Sequence, residues 1–448
     1  MRRKPLSPQQ LLSLHVAGVI LAGTLLLSLP IATESRRSLP LVDAFFTSTS
    51  AVCVTGLVVI DTPKVLSTFG EVVLMLLIQA GGLGYMTIAT LIAVVLGKRI
   101  TLQERMTLQE ALNLYTRDGL LRFAGNVIKM TVLVELTAAA ILTVRWSGQF
   151  GAGRAAYLGL FHAVSAFNNA GFSLFSDNLM GYRGDLTVNL VITTLIIAGG
   201  LGFLVLSELA RLRRRGPALS AHTKVTLVIT ALLIAGGTVA VFLLERSNPA
   251  TLGSLGAGEA WLASYFQAVT PRTAGFNTIN IGAMTTPSLA LLIVLMFIGA
   301  SPGGTGGGIK TTTFGVAMAA LWSTVRGSGE PVLFGRRLTP ELVIRAFSVI
   351  LVAVLALGGI TWIVLLSERR ELLASLFETT SAFGTVGLSM GVPDSVLSLV
   401  GFFSAPGKLL LALLMYFGRV GPLTIAVALA HGRPPARIRF PEAKILVG

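Results

Sequence analysis

Eight stretches of this chain stay apolar over about twenty residues or more: 11–30, 70–97, 121–145, 187–210, 223–244, 287–323, 341–367 and 406–430. A helix needs about 20 such residues to cross the hydrocarbon core of a bilayer. Only 12% of the 448 residues are charged, against about 25% in a soluble domain. The mean hydropathy is +0.79. The pattern predicts an all-α membrane protein with eight transmembrane helices, its partner the lipid bilayer.

The net charge is +15. In a soluble chain that excess would suggest nucleic acid; in a membrane protein, clustered Lys and Arg mark cytoplasmic loops. The clusters at 2–4, 97–106, 211–217, 336–340 and 431–440 all precede odd-numbered spans or follow even-numbered ones. This predicts a multi-pass protein with both termini cytoplasmic and no nucleic-acid partner. Arg36, Arg37, Arg145 and Arg183 fall on the opposite side. One cysteine excludes an intrachain disulfide, and four histidines with no close pair argue against a zinc enzyme. The N-terminal "MRRKPLSPQQ" resembles the start of a signal peptide, but without a small-residue cleavage site the next apolar run reads as a retained span.

Between the spans lie four shorter, semi-apolar segments, at about 40–57, 156–172, 260–276 and 372–388. Each is too short to cross and too apolar for an ordinary loop, which fits a re-entrant segment. They contain "FTSTSAVCVTGL" (46–57), "FHAVSAFNNAGF" (161–172), "FQAVTPRTAGF" (266–276) and "FETTSAFGTVGL" (377–388). Each runs from Phe through small and hydroxyl residues to a Gly and a bulky apolar residue. The glycines Gly56, Gly171, Gly275 and Gly387 are spaced 115, 104 and 112 residues apart. From Phe to Gly is ten residues in three copies and nine in the third, where Pro271 intervenes.

The chain thus divides into four pseudo-symmetric helix–pore-loop–helix repeats around a central pore: 1–104, 105–217, 218–335 and 336–448, the last with a cytoplasmic tail. A pore that strips water from a cation must replace it with oxygens, and backbone carbonyls serve when the chain runs along the axis. Aiming successive carbonyls one way needs some positive φ, which Gly adopts cheaply. A short helix pointing its C-terminus at the pore favours a cation. The alternative, glycines that let helices pack closely, does not account for four phased copies.

The phrases "FHAVSAFNNAGF", "FQAVTPRTAGFNT" and "GGTGGGIKTTT" resemble the Trk/Ktr/HKT superfamily of potassium transport proteins over nearly the whole chain. One span precedes the first pore segment, which resembles the membrane subunit of a bacterial Ktr system. The resemblance implies a potassium ion channel or transporter of the inner membrane, driven by the membrane potential. Its selectivity filter would hold K⁺ on backbone carbonyls of Cys53, Val54, Thr55 and Gly56; Asn168, Asn169, Ala170 and Gly171; Arg272, Thr273, Ala274 and Gly275; and Gly384, Thr385, Val386 and Gly387. "GTVG" (384–387) comes closest to the filter of ordinary potassium channels. Gly56, where some plant relatives carry Ser and pass Na⁺, favours K⁺. The resemblance further implies a homodimer on a cytosolic, KtrA-like ring of nucleotide-binding regulatory subunits, with Na⁺ a candidate activator. This chain has no nucleotide motif of its own.

"GASPGGTGGGIKTTT" (299–313) interrupts the apolar stretch 287–323. It is not a Walker A loop, because Ile309 separates Gly308 from Lys310 and no strand precedes it. A stretch of about 37 residues is too long for one straight span, so a break into two half-helices is expected. Such a loop survives at membrane depth beside protein or water. Gly303, Gly304, Thr305, Gly306, Gly307, Gly308 and Lys310 then read as a flexible barrier across the pore, and the resemblance implies an intramembrane gate. A helix kink is the simpler alternative. Arg419, central in the last span, is too deep to snorkel easily and should face the pore. It is expected to hydrogen-bond the loop's carbonyls, or else to cap a carbonyl structurally. Lys310 is expected either to neutralise helix C-terminal carbonyls or to face water.

Among other polar residues, His162 and Glu378 are expected to brace the filters, and Arg272 to turn toward an unnamed carboxylate. Glu135 lies within the third span, with function and packing both open, while Glu71 and Glu208 read as interfacial. A secondary transporter with a midplane site at a broken helix is the rival reading. An enzyme using the loop for a nucleotide would need clustered carboxylates and histidines, which the chain lacks.

Overall fold

The computed structural model describes residues 8–84, 120–215, 219–393 and 395–421. It is built almost wholly of helices. These are α1 (Pro8–Leu27), α2 (Leu41–Val52), α3 (Thr68–Leu83), α4 (Leu120–Phe150), α5 (Ala152–Phe167), α6 (Leu186–Leu201), α7 (Phe203–Arg215), α8 (Ala221–Glu245), α9 (Ala257–Val269), α10 (Thr286–Phe297), α11 (Thr311–Val325), α12 (Pro340–Glu368), α13 (Leu372–Gly384) and α14 (Ala405–Val420). A two-stranded hairpin pairs Val332 with Arg337 and Leu333 with Arg336. Its turn residues, Phe334 and Gly335, both have positive φ, as tight hairpin turns require.

The helix starts follow local chemistry. The Ser67, Asp185, Ser220 and Ser404 side chains accept N–H bonds from Gly70, Val188, Thr223 and Gly407. Each satisfies a donor that the first turn leaves open. Thr339 does the same for Leu342, followed by Pro340 in the first turn, where a missing N–H costs nothing.

Among the described residues three helices are long and apolar enough to cross a membrane: Gly125–Phe150, Ala221–Glu245 and Pro340–Glu368. A fourth counts if Leu186–Leu201 and Phe203–Leu212 form one bent span. The expected spans 70–97 and 406–430 and the basic cluster 211–217 run partly outside the described residues, and the clusters at 2–4, 97–106 and 431–440 lie wholly outside them. The stretch 187–210, expected as one span, is instead two helices meeting at 103°. The break is Gly202, at φ +93°, a conformation that no helix contains. Phe203 N–H then bonds the carbonyl of Gly303.

The four short helices α2, α5, α9 and α13 are the core. Their C-terminal halves are buried, with Phe46, Phe161, Phe266 and Phe377 at 1% exposure or less. The long helices pack outside them: α4 along α5, α8 along α9, α12 along α13 and α1 along α2. Large residues such as Leu133, Val144, Leu232, Leu355 and Leu366 point outward and are exposed, as lipid-facing positions should be in a membrane protein.

Candidate functional site

Each short helix ends in the same turn. Val54, Asn169, Thr273 and Thr385 take positive φ of 51°, 59°, 70° and 50°. Two residues later Gly56, Gly171, Gly275 and Gly387 do so again, at 91°, 69°, 77° and 92°. Left-handed backbone is costly for a β-branched residue such as Val54, so the surroundings must impose it. Part of the constraint is visible. The N–H groups of Thr55, Ala170, Ala274 and Val386 turn back to the carbonyls of Ser50, Ser165, Thr270 and Ser381, at 2.7, 2.8, 3.0 and 2.8 Å. The hydroxyls of those four residues tie down the outgoing strand. Ser50 donates to Leu57 O (2.9 Å) and accepts from Gly56 N–H (3.1 Å). Ser165 and Thr270 donate to the carbonyls of Phe172 (2.7 Å) and Phe276 (2.5 Å). Ser381 accepts from Gly387 N–H at 3.0 Å.

With their donors directed backward, the carbonyls are left over. Among the described residues no donor reaches the carbonyl oxygen of Thr55, Ala170, Ala274 or Val386. Those four oxygens lie in a closed circuit. A Cβ added to Gly56 would meet Ala170 O; on Gly171, Ala274 O; on Gly275, Val386 O; and on Gly387, Thr55 O. The four turns therefore surround one axis in chain order, and only hydrogen fits where each glycine faces its neighbour. The C-termini of four helices also converge there, adding negative potential. On one side the ring opens into a cavity of about 760 Å³ lined by all four glycines, with Asp61, Asp177, Asn178 and Asn277 among its walls.

The residues flanking the ring divide. Arg272 is buried, yet among the described residues it forms no ion pair, and its Nε has no partner. The expected carboxylate is thus not found there. His162 and Glu378 both bond residues beyond their own turn. His162 Nε2 lies 3.0 Å from Ser173 Oγ, and Glu378 accepts from Ser389 Oγ at 2.7 Å. Glu135 is buried at 5% exposure and accepts from Asn168 Nδ2 at 3.0 Å, which also donates to Gln79 Oε1 at 2.9 Å. Glu71 is buried as well and accepts from the Tyr157 hydroxyl at 2.8 Å. Glu208 accepts from Thr223 and Ser220 near the start of α8.

The glycine-rich stretch between α10 and α11 lies on the other side of the ring. A Cβ on Gly306 would strike Thr273 Oγ1, and one on Gly307 would come within 2.5 Å of Thr385 Oγ1. The loop is not a loose string. Gly299 and Ala300 bond back to Ile309 and Gly307 within it, at 2.9 and 3.2 Å. Ser301 and Thr305 N–H groups bond the carbonyls of Gly200 (2.9 Å) and Gly199 (3.1 Å) at the end of α6. Gly307 N–H bonds Thr385 Oγ1 at 3.0 Å, and Thr305 Oγ1 donates to Phe167 O at 3.2 Å. Arg419 donates from one nitrogen to Thr305 O and from the other to Gly81 O. Lys310 stands at the N-terminal end of α11, not at a helix C-terminus, and donates to Gly306 O at 2.6 Å. A cation at a helix N-terminus is unfavourable for that helix, so its contact with the loop carbonyl is what the position offers.

The break in this helix has counterparts that sequence reading passed over. The sequences "GGLG" (81–84), "GGLG" (199–202) and "GRVG" (418–421) each end a helix at a glycine of φ 74°, 93° and 97°. In each, the first glycine lies against the end of a short helix: Gly81 on Val52 O, Gly199 on Phe167 O and Gly418 on Phe383 O. Arg419 stands where the other two sequences have Gly82 and Gly200. The repeated tetrapeptide was the available signal.

A family described as TrkH, cation transport protein, matches residues 10–438. The chain is 44% identical over 386 residues to Ktr system potassium uptake protein B of Bacillus subtilis (strain 168), covering 86% of each. It is 40% identical to the protein of the same name from Vibrio alginolyticus, over 98% of this chain and 94% of the relative. Its fold is similar to that of the potassium transporter TrkH from Vibrio parahaemolyticus, with a TM-score of 0.74 at 20% identity, over 96% of this chain and 86% of that one.

Proposed function

Because the chain belongs to the TrkH family of cation transport proteins, we propose that it carries K⁺ into a bacterial cell through the ring of four turns. The observation that carries this reading is the closed circuit of glycines and donor-free carbonyls. Such oxygens substitute for the hydration shell of a cation. Oxygens turned to a common axis serve K⁺ without any charged side chain. Relatives of high identity named as potassium uptake proteins support K⁺ as the ion.

The filter would comprise Cys53–Gly56, Asn168–Gly171, Arg272–Gly275 and Gly384–Gly387, one from each of four helix–pore-loop–helix repeats spanning 1–104, 105–217, 218–335 and 336–448. Eight membrane crossings would carry them, with both termini cytoplasmic. The loop around Gly303–Gly308 would close the path beneath the ring, held by Arg419 through Thr305. A second copy of the chain and a cytosolic regulatory ring would complete the transporter, and nucleotide would act on that ring. Flux of K⁺ and Na⁺ into liposomes holding the purified chain tests the reading: saturable, K⁺-preferring flux is expected, and absence of cation flux would refute it.

A further inference from the structure

The four turns are alike in backbone but not in how they are braced from behind. The residue after each Phe of the four phrases is Thr47, His162, Gln267 and Glu378. Two residues after each ring glycine stand Val58, Ser173, Asn277 and Ser389. The first set is buried throughout.

In the second turn His162 Nδ1 is 2.8 Å from Leu158 O, and Nε2 is 3.0 Å from Ser173 Oγ. A carbonyl only accepts, so Nδ1 carries hydrogen and Nε2 of the neutral ring accepts from Ser173. In the fourth turn Glu378 accepts from Ser389 Oγ at 2.7 Å and from Val400 N–H at 2.9 Å. Ser389 Oγ already accepts from Gly391 N–H (3.0 Å) and Leu399 N–H (2.8 Å). Its own hydrogen therefore needs an acceptor, which the carboxylate supplies. In the first and third turns no such clamp exists among the described residues. Thr47 Oγ1 and both amide atoms of Gln267 have no partner among the described residues, and Asn277 turns instead to Ile279 O at 3.0 Å. Since the ring runs in chain order, the two clamped turns face each other across the axis.

Resting on the filter reading above, we propose that Glu378 and His162 are positioning residues for ion discrimination. Each ties the strand leaving its glycine to the short helix behind it, so the ring is held open along one diagonal. Oxygens that cannot draw inward are poor substitutes for the water of a cation smaller than K⁺. Neither side chain touches the ion.

The test compares K⁺ and Na⁺ flux into liposomes for the full chain and its variants. Glu378→Gln must lose one of its two contacts, because an amide presents a donor to either Ser389 or Val400. Ser389→Ala removes the link between Ser389 and Glu378 itself by deleting one hydroxyl, and keeps the test decisive if the Gln variant fails to fold. The K⁺/Na⁺ ratio is expected to fall by about tenfold in each, which corresponds to roughly 1.4 kcal/mol. The double variant should fall by less than the two single effects combined, since both lesions lie in one clamp. Gln267→Leu, with no partner to lose, should leave the ratio unchanged. An unchanged ratio in Ser389→Ala, simply additive effects, or an equal fall in Gln267→Leu would overturn the clamp while leaving the filter reading intact. A wild-type chain that does not prefer K⁺ would overturn both.

Discussion

Arg419, in the last turn of α14, donates to the carbonyl of Thr305 in the glycine-rich loop, and its second nitrogen donates to Gly81 near the end of α3. One guanidinium thus joins three segments far apart in sequence. The planar fork suits two carbonyls at once, which the single ammonium of lysine does not.

If that bridge holds the loop beneath the ring, Arg419→Ala should raise K⁺ flux. A hydrogen bond to a charged group is worth roughly 1.5–3 kcal/mol, so a rise of at least about tenfold is expected in liposomes. Arg419→Lys should fall between the two. Unchanged flux in well-folded Ala protein would assign the arginine a structural role.

The loop itself is tested by Gly306→Ala. The new methyl would strike Thr273 Oγ1 and come within 2.8 Å of Ala300 Cβ, displacing the loop from the ring. Deleting Gly303–Gly308 removes it outright. Both should increase flux, the deletion more. Lower flux from both folded variants would contradict a barrier.

Gly418 sits directly against the carbonyl of Phe383, whereas Gly236 in α8 has open space around it. Gly418→Ala should therefore lower the Tm of the detergent-purified protein, at a cost of about 1–3 kcal/mol, as overpacking typically does. Gly236→Ala should leave Tm unchanged or slightly raised. Equal effects would mean that the close approach carries no energy.

Much of this arrangement was readable because it repeats. Four phased glycines can be aligned by eye, and an arginine central in an apolar span is conspicuous. The positive φ at Gly56, Gly171, Gly275 and Gly387 follows from residue type. The same backbone at Val54 and Thr385 does not, since it is imposed by hydrogen bonds from flanking residues against local preference. Gly202 was missed because a glycine in an apolar helix more often serves packing than a 103° bend. The links from Arg419 to Gly81, and from Asn168 to Glu135 and Gln79, join different helices. Linear patterning carries no trace of such contacts. Arg272 shows the converse: a charge in the sequence demands a partner, yet the described residues supply none.

The central claim is that the four turns form one ion filter, and Gly387 tests it most directly. A side chain there would meet Thr55 O and come within 3.0 Å of Gly56 Cα, on backbone at φ +92°. K⁺, Rb⁺ and Na⁺ flux should be measured for the wild-type chain and Gly387→Ser in liposomes. The account predicts saturable K⁺ and Rb⁺ flux above Na⁺ flux in the wild type, and a shifted ion preference in the variant. Flux indifferent to the substitution, with the variant folded, would contradict it.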